Sequence, residues 1–191
     1  MARSHGRLTP PGDKAEAVRG EAMTDAVEQF AGEAVKFREW VLSGSSSGKV
    51  AVREALGLVT RLYLTALALP PVWCGGHDHK PEAPAGSGDG QHIYSRLAAR
   101  LPFQHYGEVF NTLSVPPEQP VLGDLADDLA DIFAEVDAGL RRYEAGRQTD
   151  AVWEWGFYLV HHWGEHATSA IRALHCYLVA HSPDLLASRA E

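Results

Sequence analysis

The sequence predicts an all-α protein: a bundle of four main amphipathic helices with one or two short extra helices. Two observations carry this. Apolar residues recur at three- and four-residue steps through most of the chain. Glycine, proline and serine clusters interrupt that pattern at a few places, and no strand-like alternation stands out. The chain has 191 residues, 45% of them hydrophobic and 22% charged, which suits one domain with a real core.

The first helix is expected from about Thr24 to Leu42, with Thr24 as its cap. Val27, Phe30, Ala31, Ala34, Phe37 and Val41 share its apolar face. The run Ser43–Gly48 then favours a turn. A second helix is expected over about Lys49–Leu69, with Val52, Leu56, Val59, Tyr63 and Ala66 inward, and Pro70–Pro71 ends it. Short helical pieces are expected around His92–Arg100 and Phe103–Thr112, before the break at Pro116, Pro117 and Pro120. The third long helix spans about Leu122–Tyr143 and the fourth about Thr149–Ala180. Gly146 suits the end of one, and Thr149 or Asp150 the start of the next. The short connection makes these two antiparallel neighbours. Residues 1–22 are read as a flexible tail, 23–182 as the single helical domain and 183–191 as a C-terminal tail. A loop insertion is expected at about 72–91, rich in glycine and proline.

The net charge is −8, from 25 acidic and 17 basic residues, and no block of lysine and arginine interrupts it. That argues against nucleic acid as a partner. No apolar run approaches the length of a membrane span, and the basic N-terminus is not followed by the apolar core of a secretory signal. Two cysteines, Cys74 and Cys176, give no disulfide framework and fit a reducing, cytoplasmic setting.

Chemistry concentrates in the last two long helices. On the third, Asp124, Asp128 and Glu135 form a stripe on one flank, with Asp128 nearest the apolar edge, while Asp127 and Asp131 point away from the core. On the fourth, Val152, Gly156, Leu159, Trp163, Ala167, Ala170 and Leu174 form the core stripe. His162 and His166 lie one turn apart on its edge, and Glu154, His161 and Glu165 point outward. Two imidazoles at this spacing can share a metal ion. The ordinary alternative is a pair of part-buried histidines hydrogen-bonded to acids of the third helix. Both need His162 or His166 within reach of Asp128. The stretch His162-Trp-Gly-Glu-His166 lacks the glutamate placement of a zinc protease. A weaker candidate is Cys74-Gly-Gly-His77-Asp78-His79, with too few ligands for a complete site. The aromatic residues of the fourth helix, Trp153, Trp155, Phe157, Tyr158 and Trp163, suit a core or a homodimer contact through the helix surface.

Several of these segments together resemble the bacterial proteins grouped as domain of unknown function 5063. They are Gly123-Asp-Leu-Ala-Asp-Asp-Leu-Ala-Asp-Ile-Phe133, Ala151-Val-Trp-Glu-Trp155, His162-Trp-Gly-Glu-His-Ala167 and Ala170-Ile-Arg-Ala-Leu-His175. Leu62–Pro70 and Tyr106-Gly-Glu-Val-Phe110 fit as well, so the resemblance covers about residues 26–180. It implies a small helical cytoplasmic protein and assigns no catalytic residue. Two functions are therefore expected in order. The first is a non-catalytic helical binding or assembly module. The alternative is a metal-dependent enzyme holding a divalent metal ion through Asp128, His162 and His166, with Asp124 or Glu135 as a further ligand or base.

Overall fold

The computed structural model describes residues 11–71 and 87–187, with side chains from 23 to 71 and 90 to 186. The helices are α1 (Pro11–Ser43), α2 (Gly48–Ala66), α3 (Ser87–Arg100), α4 (Leu125–Glu144), α5 (Gln148–His161), α6 (Trp163–His181) and α7 (Asp184–Ala187). A hairpin of β1 (His105–Glu108) and β2 (Val121–Asp124) lies between α3 and α4. The protein is thus predominantly helical. The Cys74–His79 stretch and most of the glycine-rich segment around it lie outside the described residues.

Four helices close a ring: α1 packs on α2, α2 on α6, α6 on α4, and α4 back on α1. α5 lies against α4 and α6, and α3 against α4. The ring encloses Phe30 and Phe37 of α1, Leu62 of α2, Leu129 and Ile132 of α4, and Trp163 and Leu174 of α6. Phe30, Phe37, Trp163 and Leu174 are positions that the helical periodicity points inward, and Trp155 of α5 joins them. The serine–glycine link after α1 is pinned by Arg100. Its guanidinium donates to the carbonyls of Trp40 (2.7 Å) and Ser46 (2.9 Å) and lies 4.2 Å from the centre of the Trp40 ring. The Trp40 carbonyl, in the last turn of α1, thereby accepts a second hydrogen bond beside the one from the Gly44 amide (3.1 Å).

α3 begins at Ser87, inside the insertion expected over about 72–91, and α7 lies in the expected C-terminal tail. Four further features differ from the sequence expectation. α1 begins at Pro11, so Thr24 lies inside it and does not cap it. Proline suits a first helical position, and the residues between include two glycines, Gly12 and Gly20, but no further proline to end the helix. The second short helix is replaced by β1, which pairs antiparallel with β2 in the register Tyr106↔Gly123 and Glu108↔Val121. Strands of four residues are too short for a period of two to stand out. The third long helix starts at Leu125, because the residues before it are β2 and Asp124 is its cap. The carboxylate of Asp124 accepts from the amides of Ala126 (3.0 Å) and Asp127 (3.3 Å). It also accepts from Tyr94 and Gln104, both at 2.9 Å.

The fourth difference matters most for the site. The expected fourth helix is broken between His161 and Trp163, and His162 is the cap residue of both halves. Its amide still closes α5 on the carbonyl of Tyr158 (2.8 Å), while its own carbonyl opens α6 by accepting from Glu165 (3.0 Å). At the bend the chain doubles tightly: a Cβ on Gly164 would stand 2.0 Å from the carbonyl oxygen of Leu159. Only glycine fits there without moving a helix. The break also resets which residues of α5 face inward. Ala151, Val152, Glu154 and Trp155 are buried, whereas Gly156 and Leu159 of the expected stripe are only partly so. Glu154, expected outward, is fully buried in an ion pair with Arg142.

Candidate functional site

The first turn of α6 crosses the middle of α4. Asp128, Asp131 and Glu135 stand at three- and four-residue steps on α4, which is the spacing of one helix face. His162 and His166 face them from the cap and first turn of α6. The contact expected from the helix wheels is present: Nδ1 of His166 lies 2.8 Å from Oδ1 of Asp128. One turn away, Nδ1 of His162 lies 2.8 Å from Oε1 of Glu135. The two imidazoles therefore hang from two carboxylates in the same manner.

Their other nitrogens converge. Nε2 of His162 and Nε2 of His166 are 3.4 Å apart, and the rings meet edge to face at 73°. Oδ2 of Asp131 stands 3.6 Å from Nε2 of His166. One ligand atom from each of Asp131, His162 and His166 falls within 4.8 Å of the other two, an arrangement consistent with a divalent metal ion. Burial is graded across the cluster. The Asp128 and Glu135 side chains are 7% and 8% exposed, and His166 is 26% exposed. Asp131 is 40% and His162 46% exposed. The carboxylates thus form the floor, and the converging atoms lie at the opening.

A further layer supports Asp128. The hydroxyl of Tyr106, on β1, donates to its Oδ2 at 2.6 Å. The Tyr106 ring lies over Gly123 on β2, where a Cβ would stand 2.6 Å from the ring carbon that bears the hydroxyl. Glycine opposite an aromatic residue is what lets the ring lie against the strand and reach α4. Two residues along β1, Glu108 accepts a hydrogen bond from Ser169 of α6. The inward face of β1 is thereby tied to both helices that form the cluster.

The electrostatics follow from this packing. The Asp128 hydrogen bond raises the imidazole pKa of His166, aided by the charges of Asp128, Asp131 and Glu135 and opposed by burial. Burial, with the charge of Asp131, pushes Glu135 up to about 8, while the Trp163 amide and His166 pull it down. Burial and the bond to Asp128 raise Tyr106 far above an ordinary phenol. Burial and the neighbouring carboxylates of Asp131, Asp124 and Asp128 raise Asp127.

One candidate leaves the cluster and one acid outside the candidate set joins it. Asp124 caps α4 and meets Tyr94 and Gln104, so it does not join the histidines. Asp131 was assigned to the outer face of its helix, yet it reaches the cluster. On the helix wheel it lies within about 60° of Asp128 and about 40° of Glu135, so it belonged to their stripe from the start. What the wheel lacked was the crossing of α6 over that flank. The hydrogen bond from Tyr106 had no signal in periodicity, because it depends on the hairpin register.

Similarity to known proteins adds the family and the fold. No curated protein matches the chain. A crystal structure of protein BF1032 from Bacteroides fragilis matches with a TM-score of 0.66 over 87% of this chain and 96% of that one, at 22% identity. At that identity the likeness shows a shared fold. No helix among the described residues is long and apolar enough to cross a membrane. The family model described as domain of unknown function (DUF5063) matches residues 21–181, nearly the whole chain, and the protein belongs to that family.

Proposed function

We propose that this protein binds one divalent transition-metal ion through Nε2 of His162, Nε2 of His166 and a carboxylate oxygen of Asp131, as the centre of a metal-dependent activity. The observation that carries this reading is the 3.4 Å separation of the two Nε2 atoms, each on a ring whose Nδ1 is engaged elsewhere. Zn–N bonds of about 2.0–2.1 Å place two nitrogens of a tetrahedral set about 3.3 Å apart. Two imidazoles and a carboxylate suit zinc, iron(II), cobalt or nickel better than magnesium or calcium. Three protein ligands leave at least one position for water or substrate, as in catalytic rather than closed structural sites. The half-exposed opening at Asp131 and His162 supports the same conclusion. Asp128, expected as a ligand, has both oxygens engaged by His166 and Tyr106.

A metal-free reading has its own support. Two imidazole lone pairs facing each other at this distance repel, and one shared proton would relieve them as a cation does. A neutral Glu135 can donate to Nδ1 of His162, which then carries its proton on Nε2 and donates to His166. Metal analysis of freshly purified, untagged protein separates the two. About one equivalent of a divalent ion is expected, and Asp131→Ala should lower it. Protein that neither carries an ion nor takes up zinc, cobalt or iron(II) at micromolar concentration leaves only the shared proton, and the metal reading fails.

A further inference from the structure

We infer that Asp128 and Glu135 are positioning residues that aim the two imidazoles at the ion, and that Tyr106 holds Asp128 in register from the hairpin. This rests on the metal-binding reading and assigns roles within it. An imidazole can present a nitrogen lone pair to a metal only when its proton sits on the other nitrogen. A carboxylate at Nδ1 fixes that choice, orients the ring and makes the free nitrogen a stronger donor. Here the arrangement occurs twice, at 2.8 Å each: Asp128 with His166, and Glu135 with His162. The two carboxylates lie on one face of α4 and are buried beneath the rings, so solvent does not compete for their oxygens. The second oxygen of Asp128 accepts from the Tyr106 hydroxyl, which stops the carboxylate from turning to become a ligand itself. The hairpin makes that contact possible, since Tyr106 reaches α4 across Gly123.

The test compares Asp128→Asn, Glu135→Gln and Tyr106→Phe with the ligand variant Asp131→Asn, using cobalt(II) as the probe. Affinity is read by competition with a chromogenic chelator, and coordination by the visible absorption of the cobalt-loaded protein. Asp128→Asn and Glu135→Gln should each weaken cobalt binding on the order of tenfold or more, and Tyr106→Phe by less, through its effect on Asp128. At saturating cobalt all three should keep the wild-type spectrum, because the ligand set is intact. Asp131→Asn should change the spectrum as well as the affinity. Imidazole nitrogen NMR of the metal-free wild type should place the His166 proton on Nδ1.

Wild-type affinity in Asp128→Asn and Glu135→Gln would overturn the inference while leaving the metal site standing. An altered spectrum in either would make that residue a ligand and overturn it too. Wild-type protein that binds no cobalt overturns the metal reading itself, and the NMR result still reports whether Asp128 sets the His166 tautomer. Should Asp128→Asn fail to fold by circular dichroism, Tyr106→Phe carries the same comparison through the outer hydrogen bond alone.

Discussion

A hundredfold excess of zinc over its dissociation constant should raise the thermal midpoint of this protein by about 5–10 °C, and His166→Ala should erase that rise. An ion bound only by the folded state at that excess contributes about 2.7 kcal/mol. For a domain of this size each kcal/mol moves the midpoint by about 2–4 °C. His166→Ala has a second effect that must be kept apart from the first. It leaves the buried Asp128 with Tyr106 as its hydrogen-bond partner, so the metal-free variant should already be less stable, by about 1–3 kcal/mol. The discriminating quantity is therefore the zinc-dependent increment measured on each protein. Equal increments in wild type and variant would place the ion elsewhere.

The largest loss of stability without any metal is expected at Trp155. Its ring is fully buried and lies 4.6 Å from Phe30 and 5.9 Å from Tyr143, centre to centre. Its indole N–H donates to the carbonyl of Val136 at 3.0 Å. The fit on α4 is close: a Cβ on Gly139 would stand 2.2 Å from the indole nitrogen. Trp155→Ala should cost about 3–5 kcal/mol, as a large cavity opens where α1, α4 and α5 meet. Trp155→Phe should recover part of this and still leave the Val136 carbonyl short of its donor. Urea denaturation reads both. A loss below about 1 kcal/mol for the alanine variant is what a surface tryptophan would give, and it would contradict the packing of α5 on α4.

The outer shape of the molecule was legible in the sequence because it depends on local periodicity. Phe30, Phe37, Val52, Val59 and Leu174 face inward as their spacing indicates, since each lies in an uninterrupted helix. The meeting of His166 with Asp128 was legible for a similar reason: each residue sat at the apolar edge of its own wheel, and a short turn joins the segments. The misassignments arise where the pattern depends on tertiary contacts. A wheel drawn through His162 as one continuous helix sends Glu154 outward, whereas the bend at Gly164 turns it into the core to meet Arg142. Asp131 became visible only once α6 lay across α4. Tyr106 required the pairing of two four-residue strands, which leave almost no trace in an amphipathic pattern.

The bend between α5 and α6 gives the histidine pair a mechanical character that two residues one turn apart on a straight helix lack. There, the spacing of the rings is set by the pitch of a rigid rod. Here one ring sits on the joint itself and the other in the first turn of the arm beyond it, so the backbone of the joint helps to place the His162 ring beside His166. That joint is held on every side: α5 and α6 both pack on α4, and Gly164 lies against the carbonyl of Leu159, so the 3.4 Å gap between the rings is fixed by tertiary packing as much as by helix pitch.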